Sequence, residues 1–166
     1  TAKKLISMGV IDDVTLTYTK NSAVFKSDEY TIYTRLITGN YFPYQKMFTE
    51  GEINTCASRT ALIGAMTRAK MCTEEKQPAV FQIEDDVLNI SIRDKLADYQ
   101  EQVPLQETVC KSIRLGFDSK LVLETLKAFT CDNIALGFTS PRTPMIVEAE
   151  DSDMKAMVLP VAIREA

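Results

Sequence analysis

The stretch "DSKLVLETLKAFT" (118–130), followed by "NIALGFTS" (133–140), "TPMIVEAE" (143–150) and "KAMVLPV" (155–161), decides the fold. Val122, Leu126 and Phe129 recur at i, i+4 and i+7 with Leu123 beside them, the spacing of one buried helix face. Lys120 and Lys127 fall on the opposite face, one heptad apart. The three short segments that follow are bounded by turn residues and read as antiparallel strands. The unit is therefore a helix, a hairpin and one more strand. It recurs upstream as "SRTALIGAMTRAKMCT" (58–73), "AVFQIED" (79–85), "VLNISIRD" (87–94) and "ADYQEQVPL" (97–105). A shortened copy opens the chain as "TAKKLISMG" (1–9), "VTLTYTK" (14–20), "AVFKSDE" (23–29) and "YTIYTRLITG" (30–39). A unit is copied in this way when its apolar face needs neighbours to cover it. The fold class expected is α+β, with repeated helix plus antiparallel strands and the helices on one side of the sheets.

Ser58 and Asp118 are the expected helix N-caps, since their side-chain oxygens can accept from the orphan N–H groups of a first turn. In the second helix Leu62, Ala65, Met66 and Ala69 make the buried stripe, Thr60, Gly64 and Thr67 the outer face, and Arg59, Arg68 and Lys70 the flanks. Lys20-Asn21-Ser22, Glu84-Asp85-Asp86 and Ser140-Pro141-Arg142 are read as hairpin turns. A boundary is expected at Phe48-Thr49, giving an incomplete domain over 1–48 and a complete one over 49–166, itself two units, 49–105 and 106–166.

Composition restricts the chemistry. The 166 residues contain no histidine, the commonest general base and metal ligand. The cysteines, Cys56, Cys72, Cys110 and Cys131, form no CxxC pair and are expected as buried or half-buried thiols. No Gly-rich phosphate loop is present, and the acidic run Glu148–Asp153 lacks calcium-loop spacing and reads as a solvated turn. No metal, no cofactor and no catalytic residue is expected. No apolar stretch approaches the ~20 residues of a membrane span. Net charge is −4, yet residues 1–48 carry six Lys/Arg against four Asp/Glu, while the acidic excess falls in 49–166. Several of the basic residues lie on the helices and the acids cluster in turns.

Two segments carry a resemblance. "TRLITGNYFPYQKMF" (34–48) and "LGFDSK…MVLPV" (115–161) resemble the bacterial DNA polymerase III beta subunit family, the sliding clamps. Gly39 to Met47 matches the segment leading into the family's third domain. Gly116-Phe117-Asp118 matches its helix start, Cys131 its helix end, and Leu159-Pro160-Val161 its closing hydrophobic-Pro-hydrophobic triplet. The chain departs from the family's pattern where Phe42 precedes Pro43 and where Ala162–Ala166 runs past the usual end. The resemblance implies a fragment: the second half of the middle domain and the whole last domain of a three-domain protomer.

It also implies function and sites. A clamp is a non-catalytic processivity factor, a homodimer ring around duplex DNA in DNA replication. The implied location is the cytoplasm, at the nucleoid, with no membrane partner. Implied partners are duplex DNA bound without sequence preference, a second protomer, and the replicative polymerase and clamp loader docking through short Leu/Phe peptides. The peptide pocket implied by the match comprises Lys46, Met47, Asp118, Thr143, Met157, Leu159, Pro160 and Val161. Arg59, Arg68, Lys120 and Lys127 are the expected DNA-facing cations, and Met71, Cys72, Asp98 and Glu101 the expected ring interface. A β-rich protein-interaction module without a DNA role is the alternative.

Overall fold

A computed structural model describes residues 2–7, 13–72, 77–93, 98–149 and 153–163. The chain divides into two compact units, Thr1–Pro43 and Tyr44–Ala166. The division falls five residues before the expected Phe48/Thr49 boundary. The segment Tyr44–Met47 forms a 3₁₀ turn, and Tyr44 packs edge-on against Phe48 with ring centroids 6.4 Å apart, which ties the connecting stretch to the second unit.

The first unit contains a helix α1 (Ala2–Ser7) and a meander of β1 (Thr15–Tyr18), β2 (Ser22–Lys26) and β3 (Thr31–Arg35) in the order β1-β2-β3. The first turn forms as read, with Thr19 N–H donating to Ser22 O over 2.8 Å. Alternation and register put Leu16, Phe25 and Ile32 side by side on one face. That face is thinly covered: Leu16 and Tyr18 are exposed, and Ala23 is the buried residue of the sheet.

The second unit runs β4 (Ile53–Ser58), α2 (Arg59–Met71), β5 (Ala79–Arg93), β6 (Asp98–Phe117), α3 (Ser119–Ala128), β7 (Asn133–Phe138), β8 (Met145–Ala149) and β9 (Lys155–Val158). Both caps form where the sequence places them. Ser58 Oγ accepts from Ala61 N–H at 3.4 Å, and Asp118 Oδ1 accepts from Lys120 and Leu121 N–H at 2.8 and 3.3 Å. The buried stripe of α2 is Leu62, Ala65, Met66 and Ala69, and that of α3 includes Val122, Leu123 and Leu126, with Phe129 buried at its end.

The strands are ordered β5-β6-β4-β7-β8-β9. β4 pairs with β7 from Ile53↔Phe138 to Ser58↔Asn133, although β7 follows it by a whole unit. In return, the end of β6 pairs with the start of β5, Ala79↔Phe117 to Ile83↔Ile113. The acidic triplet Glu84-Asp85-Asp86, expected as a hairpin turn, lies within β5 at the point where its register with β6 slips. Between Ile83↔Ile113 and Val87↔Pro104, β6 advances nine residues against four on β5, and Asp85 takes φ 52. The excess length of β6 reaches β4: Leu105 pairs with Ala57, and Thr55 Oγ1 donates to Glu107 O at 3.4 Å. The expected strand 97–105, from Asp98 onward, thus runs on without a break to Phe117 as one strand shared by both repeats.

A single apolar core takes in the inward residues of β4 to β9 and of both helices, with Phe81 and Phe117 stacked edge to face at 5.2 Å. α2 and α3 touch each other over this core, so they lie on the same side of the strands. Ser140-Pro141-Arg142 forms the β7–β8 turn, held by Thr143 N–H to Ser140 O at 3.2 Å and Ser140 N–H to Thr143 Oγ1 at 2.9 Å. Among the cysteines, Cys110 is exposed and not half-buried as expected, because it points outward where β6 slips; Cys56, Cys72 and Cys131 are half-buried and in no disulfide. Among the described residues no group of His, Cys, Asp and Glu side chains gathers as a metal site, and no helix is long and apolar enough to cross a membrane. Residues 150–152, in the expected acidic turn, and 164–166, in the tail, lie outside the described residues, as do 1 and 8–12, 73–76 and 94–97 at the edges of the expected segments.

Candidate functional site

The end of the chain, the start of α3 and the β7–β8 turn meet through backbone register. Val161 N–H donates to Gly116 O at 2.8 Å, forming a bridge that brings the Leu159-Pro160-Val161 triplet beside the Gly116-Phe117-Asp118 helix start. Gly116 is required by this approach. A Cβ there would stand 2.8 Å from Val161 O, 3.0 Å from Ile163 Cγ1 and 3.3 Å from Pro78 Cβ. On the other side β9 carries Met157 opposite Ile146 and Val158 opposite Met145, two residues beyond Thr143. The bridge thus sets Asp118 near the Leu159-Pro160-Val161 triplet, and β9 leads from Met157 into it.

Their exposures differ usefully. Leu159 is 56% and Val161 41% exposed, whereas their neighbour Val158 is buried in the core. Met157, Pro160 and Thr143 are half-buried. Thr143 spends its hydroxyl on the hairpin turn, leaving its methyl for the surface. Asp118 likewise spends Oδ1 on the helix cap. Leu121, one turn into α3 and half-exposed, was not singled out from the sequence, though its place three residues after the cap would have suggested it. Lys46 is exposed and Met47 half-buried on the 3₁₀ turn. At the first position of α3, Ser119 Oγ is buried without a hydrogen-bond partner.

The four expected DNA-facing cations do not behave as a set. Arg59 and Arg68 are nine residues apart, which at about 100° per residue places them on opposite sides of α2. Arg59 turns inward to the loop after α3: its Nε donates to Cys131 O at 2.6 Å and its N–H to Asp132 O at 2.9 Å. It staples the two repeats together. Arg68 is exposed but engaged. Its Nε and Nη2 donate to Glu101 Oε2 and Oε1 at 2.8 and 2.5 Å, so a residue expected at the DNA surface and one expected at the ring interface are paired with each other. The shared side chains lie where α2 crosses β6, which sequence separation alone concealed. Tyr99 completes the group, its hydroxyl lying 2.9 Å from Ala65 O and in short contact with Glu101 Oε2, so that its one proton serves one acceptor at a time. The Arg68 guanidinium and the Tyr99 hydroxyl hold the Glu101 carboxyl down to about 2, and burial pushes the Tyr99 phenol up.

Lys120 and Lys127 are exposed on α3, on the side away from its buried stripe. Glu124, also exposed, shares that face at i+4 from Lys120. Of the expected interface residues, Met71 is 81% exposed at the end of α2, Cys72 caps that end, and Asp98 lies 3.7 Å from Arg93 at the start of β6.

The family described as "DNA polymerase III beta subunit, C-terminal domain" matches residues 47–162, most of the chain and all of the elements that build this surface. The chain belongs to that family. The beta sliding clamp of Staphylococcus aureus is 24% identical over 155 residues, covering 90% of this chain and 41% of the relative, and that of Streptococcus pneumoniae is 23% identical over 159 residues. The chain thus spans about two fifths of the length of the curated relatives it matches. Among solved structures, a DNA polymerase III beta subunit from Eubacterium rectale superposes with a TM-score of 0.81 at 23% identity over 91% of this chain and 42% of that one. A sliding clamp from Caulobacter crescentus superposes with a TM-score of 0.86 at 15% identity, covering 98% of this chain and 44% of the other. The fold is the DNA-clamp fold of this family: helices on one side, antiparallel strands on the other.

Proposed function

We propose that this chain is the part of a sliding clamp that carries the partner-docking surface and one stretch of the ring's inner lining. Family membership over residues 47–162 supports the reading most strongly. The protein acts without catalysis: it encircles duplex DNA in the cytoplasm, at the nucleoid, and tethers a replicative polymerase to it. Exposed cations on the helices, Lys120 and Lys127 on α3 and Arg68 on α2, face the duplex and contact phosphates alone, since reading bases would trap a sliding ring. Met71, Cys72 and Asp98 contribute to the contact with a second protomer.

The polymerase and the clamp loader dock short peptides with Leu and Phe anchors beside Met157, Leu159, Pro160 and Val161, with Lys46, Met47, Asp118 and Thr143 at the rim. Each anchor buried there supplies roughly 1.5–3 kcal/mol. Leu159 and Val161 are exposed large aliphatics on a surface otherwise edged by polar groups, which fits that use. The test joins this chain to the rest of a full-length protomer and titrates a labelled Leu/Phe peptide. Leu159→Asp and Val161→Asp should each weaken binding at least tenfold while leaving thermal unfolding near wild type, because both side chains are exposed. Unchanged affinity in both variants would sink the docking assignment. Peptide binding without retention on circular DNA would instead favour an interaction module with no DNA role.

A further inference from the structure

Arg68 sits on α2 four residues after Gly64, and its guanidinium lies over that glycine: a Cβ on Gly64 would stand 3.2 Å from Nη2 and 3.4 Å from Nη1. Glycine is a poor helix former, so its place in the middle of α2 marks a point where the missing side chain is put to use. The space lets the guanidinium fold back and present both nitrogens to the Glu101 carboxylate. The Tyr99 hydroxyl lies between that carboxylate and the Ala65 carbonyl and donates its one proton to either in turn. The assembly is built, yet it stays open to solvent: the Arg68 side chain is 57% exposed and that of Glu101 27%.

We infer that Glu101 is a built-in competitor for DNA phosphate, holding Arg68 in a bidentate pair from which a duplex must capture the guanidinium. The inference rests on the DNA reading proposed above. A guanidinium fork matches the oxygens of a carboxylate and of a phosphate equally well, so the two acceptors compete for one donor pair. Taking Arg68 from Glu101 leaves a carboxylate uncompensated beside the duplex, and the net attraction contributed by this cation falls. Glu124 between Lys120 and Lys127 tempers α3 in the same way, without a direct pair to hold. A helix surface built like this grips a polyanion weakly, which suits a protein that must move along one.

The test measures binding of a labelled, sequence-neutral duplex to the 166-residue chain by anisotropy across a low-salt series. Glu101→Gln should tighten binding about threefold or more at low salt and steepen the log–log salt dependence by about one ion. Glu52→Gln removes the same charge from the Lys111 pair and serves as the control for net charge. The double variant Arg68→Ala/Glu101→Gln should lose the gain, which marks it as carried by the freed guanidinium. A gain no larger than that of Glu52→Gln, or one that survives in the double variant, overturns the inference. Lys120→Ala/Lys127→Ala reports on the underlying reading. If that pair weakens binding while Glu101→Gln does nothing, the competition is refuted and the DNA surface stands. If no variant changes duplex binding, both fall.

Discussion

At Glu101 a single carboxylate holds a strand to a helix. Its folded pKa is depressed to about 2 by the Arg68 guanidinium first and the Tyr99 hydroxyl second. A depressed carboxyl contributes stability above its unfolded pKa, 4.5 in the reference state, and that contribution is lost as pH falls through the folded value. The urea midpoint of wild type should therefore exceed that of Glu101→Gln by a constant margin above pH 5, and the margin should shrink steadily as pH falls toward 2 and vanish below it. A margin that is flat across this range would show that the pair does not stabilise the fold. Gly116 gives a second residue-level expectation. Gly116→Ala forces a Cβ within 2.8 Å of the Val161 carbonyl, and backbone cannot give way as a flexible side chain would. The end of the chain should be displaced, with a loss of about 1–3 kcal/mol in denaturant unfolding and faster exchange of the Val161 amide. Neither residue's partner was legible in the sequence. Arg68 and Glu101 are 33 positions apart, Gly116 and Val161 are 45 apart, and no periodicity links them. The local signals were legible: Ser58 and Asp118 cap as their side-chain chemistry dictates.

The helices were the best-read elements because each buries one stripe and the stripe is written at helical spacing. Asp118→Ala should cost about 1 kcal/mol of unfolding free energy by orphaning two N–H groups, and Asp118→Asn should restore most of it, since asparagine caps as well. If asparagine restores stability but not peptide affinity, the charge of Asp118 matters to docking beyond the cap. The strands were read less well, and for a definite reason. Hairpins were expected wherever polar residues cluster between apolar runs. Ser140–Thr143 obeys, whereas Glu84-Asp85-Asp86 sits in a strand whose register slips against a longer partner. A polar triplet in a slipped register and one in a turn look alike in sequence, because both face solvent.

On the scale of the whole molecule, the repeat was legible but its pairing was not. β4 belongs by sequence to the first half of the second unit and hydrogen-bonds to β7 of the other half, while β6 returns the exchange by running along β5. Fragments 44–105 and 106–166 should accordingly be largely unstructured apart and should regain strand and helix signal when mixed. Cooperative folding of either alone, seen by circular dichroism and hydrogen exchange, would contradict this. The exchange also bears on how such a chain arises. A lone ancestral copy of the unit would leave one edge of its first strand unpaired, and could cover that edge only by lending the strand to a twin while borrowing the twin's. The gene for the unit would then have encoded a mutually swapped pair before it encoded a domain. Fusion of the two copies end to end would have made a reciprocal loan between strangers into a permanent arrangement within one polypeptide, with β6 as the seam.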